Sequence, residues 1–281
     1  MFFESVLGTI TEEEMGHTQP HEHVYIVNTI DQIRCKEICI NNFPASMEEL
    51  KLYKRAGGGS VVDANPLATG RDALALKDLS KLTGVNILAT TGYHIPKFYP
   101  KDHWIWNTSI EKLADLFSEE LTEGMYQDGT WFWPEYRTDC KAGLIKSMID
   151  INGLKNPKTV DLLTAAGLAA KRTGSPIMLH TENVDVLEAI DLLAGKIGVP
   201  EKRILVCHVD RQVEDYSIHK KIAQTGVFME YDTITLFEFH NVASEIKMLR
   251  YMIDEGFLSQ ILISTDPTTD RLKKLFWNCR N

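Results

Sequence analysis

The chain has 281 residues, of which 44% are hydrophobic and 25% are charged, and its formal net charge is −9. This length and apolar content suit either one barrel-sized domain or two small ones, and we favour one domain over residues 1–281. The acidic balance argues against a nucleic-acid or membrane surface, because both need clustered Lys and Arg, and leaves a small molecule as the expected partner.

Signals of a secreted or membrane protein are missing from the sequence. No run of about 18 apolar residues occurs, and residues 1–14 are acidic, unlike the basic and then apolar start of a secretory leader. The five cysteines include no CxxC pair, which is unlike a disulfide framework or a zinc knuckle. We therefore expect a cytoplasmic protein with reduced thiols.

Eight short apolar runs rich in β-branched residues alternate with longer segments of helical periodicity. The predicted strands span residues 19–27, 60–65, 86–93, 143–149, 176–180, 204–208, 227–231 and 261–265. The predicted helices span residues 46–56, 70–83, 109–124, 157–173, 184–197, 213–224 and 242–255. Residues 268–281 begin an eighth helix that the early end of the chain could truncate. The aromatic loop at 96–106 is predicted either to wall a pocket or to pack on itself.

The alternation of strands and helices predicts the topology. Such repeats imply parallel neighbouring strands joined by right-handed crossovers, and eight repeats suit a closed (β/α)8 TIM barrel better than an open doubly wound sheet. Gly84 and Gly174 directly follow predicted helices, where a residue with positive φ is useful. No Gly-rich phosphate loop follows the first predicted strand, which argues against a dinucleotide-binding fold.

Two histidines, His21 and His23, lie one residue apart in the first predicted strand. Side chains alternate between the faces of a strand, so both imidazoles point to one face while Glu22 points to the other. An HxH pair alone is weak evidence for a metal, because histidine pairs also occur on solvated surfaces.

Further polar residues end other predicted strands. In a barrel, the carboxyl ends of the strands meet at one mouth, so residues far apart in sequence become neighbours there. Any one of the histidines is more simply a core residue bonded to a backbone carbonyl, but six costly polar groups at equivalent positions favour one shared explanation, a metal site. Imidazole and carboxylate ligands suit zinc, manganese or cobalt. The candidates are His21, His23, Lys146, His180, His208 and Asp266.

At these positions the sequence resembles the phosphotriesterase family of the amidohydrolase superfamily over essentially the whole chain. The motifs that carry the resemblance are GHTQPHEHV after a short N-terminal hairpin, AGLIKSM, TGSPIMLHTE, ILVCHVDR and ILISTD. The resemblance implies a centre of two divalent metal ions, with zinc the main expectation and a homodimer expected by analogy.

The family pattern assigns a role to each candidate. It implies that His21, His23 and Asp266 hold the more buried ion, that His180 and His208 hold the more exposed ion, and that Lys146 bridges both as an N6-carboxylysine. A free ammonium beside two divalent ions would be strongly disfavoured, whereas a carbamate is an anionic ligand. The alternative for Lys146 is a neutral buried lysine.

The expected chemistry follows from the metals. Two ions that share a water lower its pKa and supply a hydroxide for attack on the substrate. Asp266, within reach of that hydroxide, is expected to accept its proton and to pass it to the leaving group.

The motif at 90–94, TTGYH, resembles the lactonase branch of the family more than the branch that degrades organophosphates, and some lactonases of that branch act on phosphorylated sugar lactones. Tyr93 would then lie over the metals and orient the lactone ring with His94 beside it; its alternative role is packing at the edge of the core. A substrate phosphate would need cations, for which Arg271 and Lys273 after the eighth strand are the candidates, although such residues also form solvated helix faces.

Three functions are therefore carried forward. The main prediction is a binuclear metal-dependent lactonase that opens a sugar-type, phosphorylated or unphosphorylated, lactone. The second is a phosphotriesterase or carboxylesterase with the same centre. The third, of another class, is a non-catalytic barrel that binds a ligand.

Overall fold

The computed structural model describes residues 2–27, 40–234 and 239–266. The chain opens with a hairpin in which β1 (Phe2–Ser5) pairs antiparallel with β2 (Gly8–Thr11). A short helix, α1 (Glu12–Met15), follows and is capped by the side chain of Thr11. The turn of this hairpin contacts the rest of the fold through the Val6 N–H, which donates to the carbonyl oxygen of Ile87 at 2.9 Å. The expected N-terminal hairpin is confirmed.

Eight parallel strands follow and form a nearly closed barrel, each pairing with its neighbour in sequence. They are β3 (His17–Glu22), β4 (Gly58–Asp63), β5 (Asn86–Gly92), β6 (Leu144–Ile149), β7 (Ile177–Thr181), β8 (Ile204–Val206), β9 (Phe228–Tyr231) and β10 (Ile261–Ile263). Every residue of β6 and β7 is buried, as expected where a strand is covered by helices outside and by side chains inside. The (β/α)8 TIM barrel predicted from the sequence is confirmed.

The barrel meets itself at β3 and β10 through a serine. The Ser264 hydroxyl oxygen accepts the His21 N–H at 3.1 Å and donates to the His21 carbonyl oxygen at 2.8 Å. The Asp266 N–H also donates to that carbonyl, at 3.2 Å. These bonds place the first and last strands of the barrel side by side.

Helices cover the outside of the barrel. They are α2 (Phe43–Arg55), α3 (Ala73–Thr83), α4 (Ile110–Thr122), α5 (Pro157–Thr173), α6 (Val186–Ile190) with its π-helical continuation Asp191–Ile197, α7 (Ser217–Gln224) and α8 (Val242–Asp254). Gly84 and Gly174 end α3 and α5 with φ of 69° and 74°, where a side chain would be strained. Across the described residues, none of the helices combines the length and the apolar character that a membrane span requires.

Some predicted boundaries are wrong. The first barrel strand ends at Glu22 rather than at residue 27, because the next N–H groups find other partners: Val24 N–H donates to the Asp63 carboxylate at 2.8 Å. The sixth predicted strand ends at Val206, since His208 takes a left-handed conformation with φ of 60°. The predicted eighth helix lies outside the described residues, as do Cys35, Cys39 and Cys279, while Cys140 and Cys207 are buried free thiols.

Candidate metal centre

The carboxyl ends of the barrel strands surround a cavity of about 290 Å³. Its lining includes all the residues that the sequence put forward as metal ligands, namely His21, His23, Lys146, His180, His208 and Asp266. Parallel strands all deliver their last side chains to the same end of a barrel, which is why residues so far apart in sequence meet here.

Three of these residues, His21, His23 and Asp266, can each offer one ligand atom within 4.8 Å of the others. Oδ1 of Asp266 lies 3.1 Å from Nε2 of His23 and 3.6 Å from Nε2 of His21. Asp266 has φ of 42°, an uncommon backbone conformation that turns its side chain back towards β3. Two imidazoles and a carboxylate at these separations suit a divalent cation.

His180 and His208 form a second pair on the other side of the cavity. Nδ1 of His180 and Nε2 of His208 are only 2.7 Å apart. Burial, assisted by nearby cations that include Arg211, lowers the pKa of both imidazoles well below the usual value. Both rings are therefore held neutral, and neutral imidazole is the form that binds a metal.

Lys146 lies deeper than the sequence suggested. It is the third residue of β6 rather than its last, its side chain is almost fully buried, and it reaches the cavity floor. Its Nζ lies 3.1 Å from Nε2 of His21 and 3.3 Å from Sδ of Met178, and neither neighbour neutralises an ammonium charge.

Two carboxylates on β9 and just after it support the histidines from behind. Nδ1 of His21 lies 2.9 Å from Glu230 and 3.0 Å from Asp232, and Nδ1 of His208 lies 2.7 Å from the other oxygen of Asp232. These contacts hold the proton on Nδ1 and leave Nε2 for a metal. The sequence analysis did not identify this role, although Glu230 and Asp232 share the one-residue spacing of His21 and His23.

The electrostatics around His21 favour a positive charge. Burial lowers its pKa and Lys146 lowers it further, but Asp266 and Glu230 outweigh both, so the pKa lies well above its usual value. A raised pKa means that His21 tends to bind a second ring proton, and a cation bound beside it would supply the same positive charge. The donor set of four imidazoles, a carboxylate and the lysine therefore fits a pair of divalent ions.

Tyr93 does not reach the cavity. Its side chain is 1% exposed, and its hydroxyl donates to the carbonyl oxygen of Met148 at 3.1 Å, inside the core. The neighbouring His94 lines the cavity instead, with its ring centroid 5.8 Å from that of His180. The chain turns at Gly92, where φ is 100° and a Cβ would collide with the Lys146 carbonyl oxygen, so the alternation of the strand does not continue.

Two cations line the cavity, Lys97 and Arg211, that the sequence analysis did not propose. Nη2 of Arg211 lies 3.4 Å from Oδ2 of Asp266, and Nη1 lies 3.7 Å from Oε1 of Glu182. The signal for Arg211 was its position three residues after His208 in the motif ILVCHVDR. The proposed phosphate contacts Arg271 and Lys273 lie outside the described residues.

The parallel barrel and the ligand cluster at its carboxyl end define a metal-dependent hydrolase. The sequence model of the phosphotriesterase family matches residues 1–278, and the chain belongs to that family. Its relatives are hydrolytic enzymes and the family is one of binuclear metal hydrolases, so the chain is a metal-dependent enzyme of the lactonase and phosphotriesterase type.

Named relatives span nearly the whole chain. A phospho-furanose lactonase of Mycoplasmopsis synoviae (strain 53) is 28% identical over 271 residues, which cover 94% of this chain and 76% of the relative. An aryldialkylphosphatase of Saccharolobus solfataricus is 30% identical over 264 residues, or 92% of this chain and 79% of the relative. The crystal structure of a lactonase from Listeria monocytogenes superposes with a TM-score of 0.86 at 27% identity, covering 100% of this chain and 90% of the other.

Proposed function

We propose that the chain opens the ring of a sugar-type lactone with the help of two zinc ions held at the mouth of the barrel. The observation that carries this proposal is the convergence of six polar side chains, scattered from position 21 to position 266, around one cavity. The lactonase names of relatives in both sequence and structure support the reaction.

The proposed ligand assignment is the one that the family pattern implies, and the short distances within each group of ligands support it. The ligands of one ion are His21, His23 and Asp266, and those of the other are His180 and His208. Lys146, carboxylated on Nζ, is proposed to bridge the two. When bound, the two ions lower the pKa of a water molecule and polarise the carbonyl of the substrate.

Asp266 is proposed to move the proton. Its carboxylate accepts a proton from the attacking water and passes it to the alcohol oxygen that leaves when the ring opens. Arg211, 3.4 Å from Oδ2, holds that carboxylate in place while Oδ1 faces His23. The ester bond breaks, and the products are a carboxylate and a hydroxyl on one open chain.

Two cationic side chains in the cavity wall suit an anionic substrate. Lys97 and Arg211 line it together with the aromatic rings of Phe98 and Phe239. Cations suit a phosphate or carboxylate on the substrate, while apolar rings cover the carbon face of a sugar. A phosphorylated furanose lactone, the substrate class named for the Mycoplasmopsis relative, meets both demands. Arg271 and Lys273 remain proposed phosphate contacts.

A second candidate is hydrolysis of phosphotriesters or carboxylic esters at the same centre, which the aryldialkylphosphatase relative favours. The same activated water attacks phosphorus or an acyl carbon. The homodimer, the cytoplasmic location and the choice of zinc belong to the same proposal.

A matched substrate panel tests the proposal. Zinc-loaded full-length protein is assayed with a phosphorylated furanose lactone, the same lactone without phosphate, and a diethyl aryl phosphate triester. We expect kcat/KM to fall in that order, because the second substrate loses the anionic group and the third loses the ring. A faster triester would support the second candidate, and no hydrolysis by fully loaded protein would overturn the proposal.

A further inference from the structure

A second group of side chains of the types that ligate metals lies outside the cavity, between β8, β9 and α8. Asp210 follows β8, Thr233 follows β9, and His240 and Glu245 lie at the start of α8. We call these four residues the loop cluster. None of them lines the cavity described above. All are buried, with Asp210 and Thr233 at 0% exposure, Glu245 at 4% and His240 at 7%.

Three oxygen atoms surround one ring nitrogen in the loop cluster. Nε2 of His240 lies 2.9 Å from Oε2 of Glu245, 3.1 Å from the hydroxyl of Thr233 and 3.7 Å from Oδ2 of Asp210. Ligand atoms bound to one tetrahedral zinc lie roughly 3.3 Å apart, given zinc–ligand bonds of about 2.0–2.1 Å. The three separations from Nε2 bracket that value, and the ligand atoms of Asp210, His240 and Glu245 all lie within 4.8 Å of one another.

Several polar atoms of the loop cluster lack a hydrogen-bond partner within the described parts of the chain. They are Oδ1 of Asp210, both carboxylate oxygens of Glu245 and Nδ1 of His240. Buried polar atoms are almost always paired, and buried carboxylates need a compensating charge. A divalent cation placed among these groups would compensate both carboxylates.

We propose that the loop cluster is a structural zinc site, separate from the catalytic centre. Nε2 of His240 and one oxygen each from Asp210 and Glu245 are the ligands, with the Thr233 hydroxyl in the fourth position. Imidazole nitrogen and carboxylate oxygen are both zinc ligands, and zinc sites without a reaction to perform are closed and four-coordinate. The site joins the ends of two barrel strands to the first turn of α8.

The loop cluster also sets part of the cavity wall. Arg211 directly follows Asp210, and Phe239 directly precedes His240. Both line the cavity, where the guanidinium of Arg211 lies 5.0 Å from the ring centroid of Phe239. An ion in the loop cluster fixes the backbone next to each of them and so holds the cation that faces Asp266.

Anomalous scattering from the wild-type protein tests the site without any substitution. Crystals of the full chain, stripped with a chelator and reloaded with zinc, are measured above and below the zinc absorption edge. We expect a peak enclosed by Asp210, His240 and Glu245, distinct from the peaks at the catalytic centre. Crystals with an occupied catalytic centre and no peak at the loop cluster would overturn the proposal.

Zinc counting provides an independent test in solution. After stripping and dialysis against zinc, His240→Gln and Glu245→Gln should each bind one equivalent less per chain than the wild type. The matched control is His219→Gln, since His219 is also buried but forms hydrogen bonds only with Tyr231 and Gln212 among the described residues. The control should keep the wild-type count, and equal counts in all variants would contradict the site.

The proposal does not rest on the lactonase activity. A His23→Ala, His180→Ala double variant should lose zinc from the catalytic centre and keep the equivalent that His240→Gln removes. Retention of that equivalent supports the loop cluster whatever substrate the enzyme uses, and its loss in the double variant would assign it to the catalytic centre and overturn the proposal.

Discussion

The two carboxylate oxygens of Asp266 face opposite sides, one towards the histidines of β3 and just after it and the other towards Arg211. Oδ1 faces Nε2 of His23 at 3.1 Å, and Oδ2 faces Arg211 at 3.4 Å. A group that is both a ligand and a proton acceptor can be tested by removing only its basicity. Asparagine keeps an oxygen for the metal but does not accept the proton.

For Asp266→Asn we expect kcat to fall by about 10²–10⁴-fold, the usual contribution of a positioned general base. Metal content should stay close to that of the wild type, because His21 and His23 remain and the amide oxygen can still coordinate. Steady-state kinetics and metal analysis on the same preparation check this. Turnover near the wild-type rate would remove Asp266 from proton transfer, and loss of metal would make it a ligand only.

Residue types and spacing predicted which side chains line the cavity, but not how they are supported. The six candidates stood out because each is a costly polar residue at the end of an apolar run. Asp232 looks like an ordinary loop acid in the sequence, and its role depends on lying between His21 and His208, which only the closed barrel brings about. Tyr93 was expected at the metals because the turn at Gly92 cannot be read from residue types.

At the scale of elements, a buried ion pair ties α4 to the segment before α3. Nη2 of Arg71 donates to Oε1 of Glu120 at 2.6 Å and Nη1 donates to Oε2 at 2.9 Å, and both side chains are almost fully buried. Arg71 also donates to the carbonyl oxygens of Thr90 and Tyr126. One arginine therefore joins three parts of the chain on the flank of the barrel.

Glu120→Gln should destabilise the protein by about 3–5 kcal/mol, because it leaves the Arg71 charge buried without its partner. Chemical denaturation monitored by circular dichroism measures the change in the free energy of unfolding. The control is Asp161→Asn, which removes the exposed Lys158–Asp161 pair and should cost less than about 1 kcal/mol. Similar losses in both variants would show that the buried ion pair contributes no more to the free energy of unfolding than the exposed pair does.

One part of the aromatic loop after β5 lines the cavity and another part packs on itself, so both of the arrangements predicted from the sequence occur. Its first part, with Lys97 and Phe98, lines the cavity, whereas its second part packs on itself, with the rings of Tyr99 and Trp106 5.6 Å apart. His103 lies in this packed part. Nε2–H donates to the Thr130 carbonyl at 3.1 Å, and Nδ1 accepts the Ile105 N–H at 3.3 Å, so the neutral ring satisfies both bonds.

Burial lowers the pKa of His103, although bonds to nearby carbonyls partly oppose the shift. As pH falls below about 6.5, the usual histidine pKa, the unfolded chain takes up a proton that the folded chain resists, so stability falls. We expect His103→Gln to lose less stability than the wild type as the pH falls. The difference should be less than about 1.4 kcal/mol per pH unit, the limit for one proton. Urea denaturation between pH 7 and 5 measures the free energy of unfolding as a function of pH. Identical slopes for wild type and variant would contradict the assignment of this loss to His103.

For the whole molecule, the alternation of strands and helices was enough to predict the barrel, because eight such repeats have few ways to bury their apolar faces. It did not predict where the strands end. Those ends are decided by long-range bonds, such as Val24 N–H to Asp63, that replace the next ladder bond. Closure of the barrel is equally non-local, since His21 and Ser264 are 243 positions apart.

Closure can be tested at Ser264, whose hydroxyl joins the first barrel strand to the last. Ser264→Ala leaves the buried His21 N–H without its acceptor, and we expect a loss of about 1–3 kcal/mol in the free energy of unfolding. The matched control is Ser147→Ala, because Ser147 is equally buried in β6 but its hydroxyl has no hydrogen-bond partner among the described residues. Denaturant titration of both variants should show a clear loss only for Ser264→Ala. His21 is also a proposed metal ligand, so a loss of stability alone does not identify the contact between β3 and β10 as its cause. Amide hydrogen exchange in β3 and β10 should be faster in Ser264→Ala than in the wild type. Unchanged exchange there would mean that the barrel is closed by other contacts.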